Sequence, residues 1–275
     1  MKNFWKHLQR PVYRISACGL LALVAIAVVG AVYTPYDPLK LSVDARLQAP
    51  SLVYWLGTDH FGRDLLSRLM VGAGVSFRVA LATVVVALGL GVLLGTVAGY
   101  FRGLADRVIS GVIDAFLAMP GILLALALIA VVGSSESGVV IALGLAYTPN
   151  VARVVRGNVL SLRQTAFIEA ARLFAQPHWY IIARHIVPNV VGPLTVLASA
   201  YFAQALLSES VLSFLGLGVP PPYPSWGGIL AESRQFFSDA PWLSIFPGLA
   251  IVLSLFCINM VGDALRDALD PRMQK

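Results

Sequence analysis

Six stretches of this chain are apolar for long enough to cross a lipid bilayer, and nothing else in the sequence restricts its fold so tightly. A hydrocarbon core about 30 Å thick takes roughly 20 helical residues to traverse. The qualifying runs lie at approximately 15–33, 77–99, 108–132, 138–156, 188–214 and 243–263. Inside lipid each backbone N–H and C=O must be satisfied within its own segment, so runs of this kind become helices. Only 12% of the 275 residues are charged and 58% are hydrophobic, whereas soluble domains carry about 25% charge. A soluble core could not hide so much apolar surface at this length. The expected fold is an all-α membrane protein, a polytopic bundle of six transmembrane helices.

Direction follows from the basic residues. Lys2, Lys6, Arg10 and Arg14 precede the first run; Arg102 and Arg107 lie between the second and third. Arg153, Arg156, Arg163, Arg172 and Arg184 sit at or between the ends of the fourth and fifth, and Arg266, Arg272 and Lys275 follow the sixth. Fourteen of the 20 Lys and Arg therefore share one side, which the positive-inside rule makes the cytoplasm. This organises the chain into a cytoplasmic segment 1–14, a first helix 15–33 kept as an anchor, an external segment 34–76, a core 77–264 with a cytoplasmic loop 157–187, and a cytoplasmic tail 265–275. The net charge of +6 is thus a matter of topology and not a footprint for nucleic acid. In the external segment, "RDLLSRLM" places Leu65, Leu66, Leu69 and Met70 on one side, as expected of a helix lying along the membrane surface. A second external stretch, "GLGVPPPYPSWGG", reads as stiff and extended because proline fixes φ and has no donor. Cys18 and Cys257 fall in apolar runs and read as small packing residues.

The chemistry of common enzymes is missing. There is no GxxxxGK[ST], HExxH, CxxC or G-x-S-x-G, so the chain offers no phosphate-binding loop, zinc motif or nucleophile elbow. His60 with Asp59 and Asp64 reads as ordinary loop polarity, with no metal. Ionisable residues within the runs are few. Asp114 lies in the third and Glu209 at the external end of the fifth. Such groups are costly in hydrocarbon and face a bundle interior or water, so both are candidates to line a substrate pathway. Asp114 stands only seven residues past Arg107, about 10 Å along a helix, and pairing at the interface accounts for it equally well.

One polar interval stands out: "FIEAARLFAQPHWYIIARHIVPN", Phe167 to Asn189. At about 100° per residue, Phe167, Ala170, Ala171 and Phe174 share a face, and Glu169, Arg172 and Gln176 cluster opposite. Gln176-Pro177 should end this helix, since the residue before proline avoids the α region. Pro177 then opens a second short helix, "PHWYIIARHI". The expected product is a helix–turn–helix across the inner mouth of the bundle, with Ala170 and Ala171 leaving room for a partner's backbone or ring.

This interval resembles the EAA loop of binding-protein-dependent ABC importer permeases, in which EAA is followed by three residues, a glycine, and later an apolar-Pro ending. Glu169, Ala170, Ala171 and Pro188 match, and Ala175 stands where the family has glycine. "LGTDHFGRDLLSRLMVGA", "SFLGLGVPPPYPSWGGIL" and "VGDALRDALDP" are similar to segments of the dipeptide/oligopeptide/nickel group, specifically its C-type subunit. The resemblance implies an ABC type I importer permease fold that forms half of a pore in the inner membrane. The other implied parts are a homologous second permease, two cytoplasmic ATPases that bind ATP and Mg, and an external solute-binding protein. No cofactor is implied for this chain itself. Glu169, Ala170, Ala171, Phe174, Ala175 and Pro177 would mark the contact with an ATPase. The implied cargo is a dipeptide or oligopeptide, with nickel or another metal chelate as the alternative. An ion-coupled secondary transporter would instead show two inverted halves, and no internal repeat is visible.

Overall fold

The computed structural model describes residues 11–269. Lys2, Lys6, Arg10, Arg272 and Lys275, on which the expected topology partly rests, lie outside the described residues. Within them the chain forms nine α-helices and no strand. These are α1 (Pro11–Val32), α2 (Leu65–Phe101), α3 (Gly103–Leu117), α4 (Gly121–Val132), α5 (Glu136–Leu162), α6 (Ala166–Leu173), α7 (His178–Phe214), α8 (Trp226–Ser233) and α9 (Trp242–Leu269). Five of them, α1, α2, α5, α7 and α9, are long and apolar enough to cross a membrane, and α3 with α4, bent by 98° at the break between them, makes a sixth if the pair crosses as one span.

That bend corrects the expectation of one helix over 108–132. The Ala118 amide closes the last turn of α3 on the Asp114 carbonyl, and Pro120 then adopts an extended backbone, φ −55° and ψ 129°. Proline has no N–H to continue the ladder and its ring disfavours a helical predecessor, which suits a break at this position.

The second correction concerns "RDLLSRLM". It is no separate surface helix but the first turns of α2, which runs unbroken for 37 residues, about 55 Å. Asp64 caps it, accepting hydrogen bonds from the Ser67 amide at 2.8 Å and the Ser67 hydroxyl at 2.6 Å. Leu65 and Leu69 are buried inside the protein. The proline-bearing stretch after α7 likewise yields sooner than expected. Ser225 caps α8, its hydroxyl accepting the Gly228 amide at 3.1 Å, and Trp226 turns inward to donate its indole N–H to the Leu69 carbonyl at 3.0 Å.

The centre of the bundle is the seam between α2 and α5. Gly91, Gly95 and Gly99 recur every fourth residue on α2 and meet Val151, Val155 and Val159, spaced the same way on α5. A Cβ on Gly91 would stand 2.5 Å from Val151 Cβ, one on Gly95 2.5 Å from the Ala152 carbonyl oxygen, and one on Gly99 2.9 Å from Val159 Cβ. Small residues at this period let two membrane helices approach until their backbones touch, which is where dispersion and weak polar contacts are strongest. Around this pair, α1 and α7 pack on both α2 and α9. Cys257 is buried against Gly19 of α1 as expected, while Cys18 faces outward, so only one of the two cysteines is a packing residue.

The two ends of the bundle differ. At one, here the loop end, Asp59 accepts from Arg63 Nε at 2.6 Å and from Arg68, and both guanidiniums also reach Glu232 of α8. Burial alone would raise the Asp59 pKa. The Arg68 and Arg63 charges and the Arg63 amide outweigh it and hold the carboxyl below its ordinary value. At the other end, here the elbow end, α2, α5, α6 and α7 converge.

Candidate functional site

The elbow is the eight-residue helix α6 slung between α5 and α7. Its entry is a turn at Arg163–Thr165, fixed by the Thr165 hydroxyl donating to the Leu162 carbonyl at 2.6 Å. Its exit is a double hydrogen bond: the Gln176 amide reaches the Ala171 carbonyl at 3.1 Å and the Ala175 amide the Arg172 carbonyl at 2.9 Å. Between them Ala175 takes φ +51°. This is the pattern that ends a helix on a left-handed residue. Pro177, extended at φ −65° and ψ 146°, then sets the first turn of α7. The proline therefore starts the second helix as expected, but the first is ended by the left-handed Ala175 ahead of it.

The second helix is not a separate piece. It continues into the fifth span, so "PHWYIIARHI" forms the opening turns of α7. Ile182–Ile186 are wound as a π-turn in which the Val187 amide reaches the Ile182 carbonyl. Pro188 follows directly, and the widened turn lets the helix absorb a residue that cannot donate.

The faces of α6 also differ from the expected wheel. Ile168 and Ala171 are the buried pair, in one apolar cluster with Val159, Ile181 and Ile186. Phe167 and Phe174, expected beside Ala171, project outward, 46% and 81% exposed, with Leu173 at 87% and Trp179 at 70%. Ile168, one position past Phe167 and outside the expected face, is the fully buried residue of the helix. Glu169, Ala175 and Pro177 are exposed and Ala170 is half-buried. The elbow thus presents a knob of large apolar side chains beside one carboxylate.

Behind the knob lies a cleft lined by Arg102, Leu160, Arg163, Gln164, Glu169 and Arg172. Burial, then the like charges of Arg172 and Arg102, draw the Arg163 pKa below the ordinary guanidinium value, though an arginine stays protonated in any case. Glu169 is the sole acid in this arginine-lined wall. Tyr100 of α2 ties the elbow down: its hydroxyl meets His178 Nδ1 at 2.8 Å and Arg172 lies over its ring at 5.3 Å.

The two pathway candidates fall in unlike places. Glu209 is fully buried. Ser213 donates to its Oε1 at 2.7 Å and Ser76 approaches Oε2 at 3.4 Å, so hydroxyls surround its carboxyl. Asp114 is exposed and paired with Arg153 at 2.5 Å. Arg153 and Arg156, expected only to mark topology, are the partners of Asp114 and Asp106. The signal that could have found the pairs was there, in acids at 106 and 114 inside or beside one run and arginines at 153 and 156 in another. Asp59, His60 and Glu232 come close enough to share a metal ion, but Arg63 and Arg68 already hold both carboxylates, which leaves a cation little to gain.

A family model described as the binding-protein-dependent transport system inner membrane component matches residues 91–275, a span that includes the whole elbow. The chain belongs to this family. The permease is 44% identical over 267 residues, 97% of this chain and 90% of the other, to a Brucella suis biovar 1 protein named as a peptide transport system permease. It is 41% identical to the glutathione transport system permease protein of Pectobacterium atrosepticum over 99% of this chain and 91% of that one. Identity is also 41% to the dipeptide transport system permease protein of Alkalihalophilus pseudofirmus, over 95% of this chain and 87% of that one. Among solved structures, the inward-facing MetNI methionine ABC transporter shares the fold at a TM-score of 0.62, covering 74% of the permease and 96% of that chain at 17% identity. The permease has the type I importer fold and is an inner-membrane transport subunit of an ABC importer.

Proposed function

We propose that the permease forms half of the translocation pore of an importer for short peptides, driven by cytoplasmic ATPases through the elbow. The relatives named for peptides, dipeptides and glutathione support the cargo class. None of these three names points to a metal chelate, and the one described cluster with ligand spacing is occupied by arginines. The single observation that carries the coupling role is the elbow's exposed Phe167, Leu173, Phe174 and Trp179 beside Glu169. Large aromatic and aliphatic side chains grouped in water mark a protein contact.

In this reading the elbow end and both termini are cytoplasmic, as the arginine distribution supports. Two ATPases hold ATP and Mg, a homologous permease completes the pore, and an external solute-binding protein delivers the peptide at the loop end. Glu169, Ala170, Ala171, Phe174, Ala175 and Pro177 form the contact that one ATPase moves. Closure of the ATPases displaces α6, and α5 and α7 move with it as rigid elements, shutting one mouth and opening the other. Glu169→Lys puts a fourth cation into the arginine-lined cleft. Its expected effect is ATP hydrolysis without uptake while the chain stays in the membrane, read by parallel hydrolysis and peptide-uptake assays in vesicles. Uptake that persists with no ATPase present would defeat the proposal.

A further inference from the structure

Two opposite charges meet in the open within the membrane-crossing part of the permease. Arg153 Nη2 donates to Asp114 Oδ1 at 2.5 Å, and the two side chains are 58% and 64% exposed. Arg153 lies nine residues before the end of α5 at Leu162 and seventeen after its start at Glu136, about 13 Å and 25 Å along the axis. A hydrocarbon core of about 30 Å laid on the middle of this helix, about 40 Å long, puts Arg153 in its elbow-end half, toward the side that the arginine distribution makes cytoplasmic. Charges at such a depth face a bundle interior or water, and do not face acyl chains. The neighbouring pair shows the contrast. Arg156 grips Asp106 through Nε at 2.6 Å and Nη2 at 2.8 Å, and Asp106 is mostly covered, a strut between α3 and α5. On the same side of α5, Asn150, three residues before Arg153, is also exposed.

We infer that the Asp114–Arg153 pair lines the aqueous route through the permease and discriminates among peptides by the charge they carry past it. The inference rests on the peptide-importer reading given above. A peptide presents an ammonium, a carboxylate and charged side chains, each of which would lose hydration in a narrow passage. A fixed pair of opposite sign lets a passing carboxylate exchange with Asp114 on Arg153, or a passing ammonium with Arg153 on Asp114. One ion pair is replaced by another, so neither sign of cargo meets a wall that repels it without compensation. Removing one partner should therefore slow one sign of cargo and spare the other.

The test uses membrane vesicles holding the complete transport system, with Ala-Glu and Ala-Lys as cargo. Arg153→Gln is expected to lower Ala-Glu uptake relative to Ala-Lys by roughly tenfold, and Asp114→Asn to shift the ratio the opposite way by a similar factor; tenfold corresponds to about 1.4 kcal/mol. A pair that only braces α3 against α5 would slow both dipeptides alike, and that result overturns the inference. Water access is read independently. With Cys18 and Cys257 replaced by serine, Asp114→Cys should react with a charged, membrane-impermeant methanethiosulfonate, and Leu21→Cys, 69% exposed on α1, should not. Asn150→Cys supplies the same readout if the variant at 114 does not assemble. Absence of labelling at both positions in assembled transporter overturns the inference. If the wild-type system takes up neither dipeptide, the peptide reading falls, and the labelling still decides whether this face meets water.

Discussion

Ala175 holds a backbone angle that glycine adopts freely. At φ +51° its Cβ crowds the following carbonyl, at a cost of about 1–2 kcal/mol. Ala175→Gly is therefore expected to stabilise the elbow by roughly 1 kcal/mol, less the extra freedom glycine gains in the unfolded chain. Slower amide exchange at Ala171 to Gln176, whose bonds close the turn, would report it. Ala175→Val should do the reverse, since a β-branched residue tolerates positive φ worst. At this scale the sequence was informative about position and less so about geometry. Gln176-Pro177 marked the turn, and the family pattern put glycine where the left-handed residue stands. The outward turn of Phe167 and Phe174 was not legible, because it depends on Ile168 meeting Ile181 and Ile186 from another helix. Asp114 could be singled out for its cost in lipid, but its partner stands 39 residues further on and is fixed only by how α3 crosses α5.

The helices themselves were mostly legible, because twenty apolar residues have few other options in a bilayer. The exceptions are instructive. α2 starts twelve residues earlier than its apolar run, since the amphipathic look of "RDLLSRLM" comes from packing against Trp226 and α8 and not from a lipid surface. The bend at Pro120 was present as a proline in the middle of an apolar run, and hydropathy alone does not register it. The Gly91–Gly95–Gly99 seam also lay in plain view, yet a glycine period says only that something approaches closely, not which helix does. Gly95→Leu would drive a side chain into the Ala152 carbonyl. It is expected to destabilise the bundle by about 1–3 kcal/mol or more, as overpacked interiors do, visible as lower thermal stability in detergent. Gly89→Leu, where an added Cβ meets nothing within 4 Å, should leave that stability almost unchanged.

Across the whole molecule the loop end answers to acid. Burial lowers the His60 pKa below 6.5, against the pull of Asp59 and Glu232 and with the help of Arg63 and Arg68. The unfolded chain therefore takes up that proton first, and His60 contributes stability that is full above about pH 6.5 and declines as pH falls. Asp59, held below 3.8, adds a second loss of the same sign as pH falls under that value. Thermal midpoints measured from about pH 8 down to about pH 5 should fall in wild type and fall less in His60→Gln.

The π-turn at Ile182–Ile186 has a consequence for how a push at the elbow is shared. The apolar stretch of α5 is 67% buried within the molecule and that of α7 only 22%. Pro149 in α5 is enclosed in that packing, whereas Pro188 and Pro193, which follow the widened turn of α7, are exposed. Amide exchange in detergent should accordingly be faster at Ile182–Val187 than at Val151–Val159. Under the proposed coupling, the two legs of the elbow would then be held unequally: α5 would pass a push straight into the glycine seam, and α7 would pass it on through the more open turn at its start.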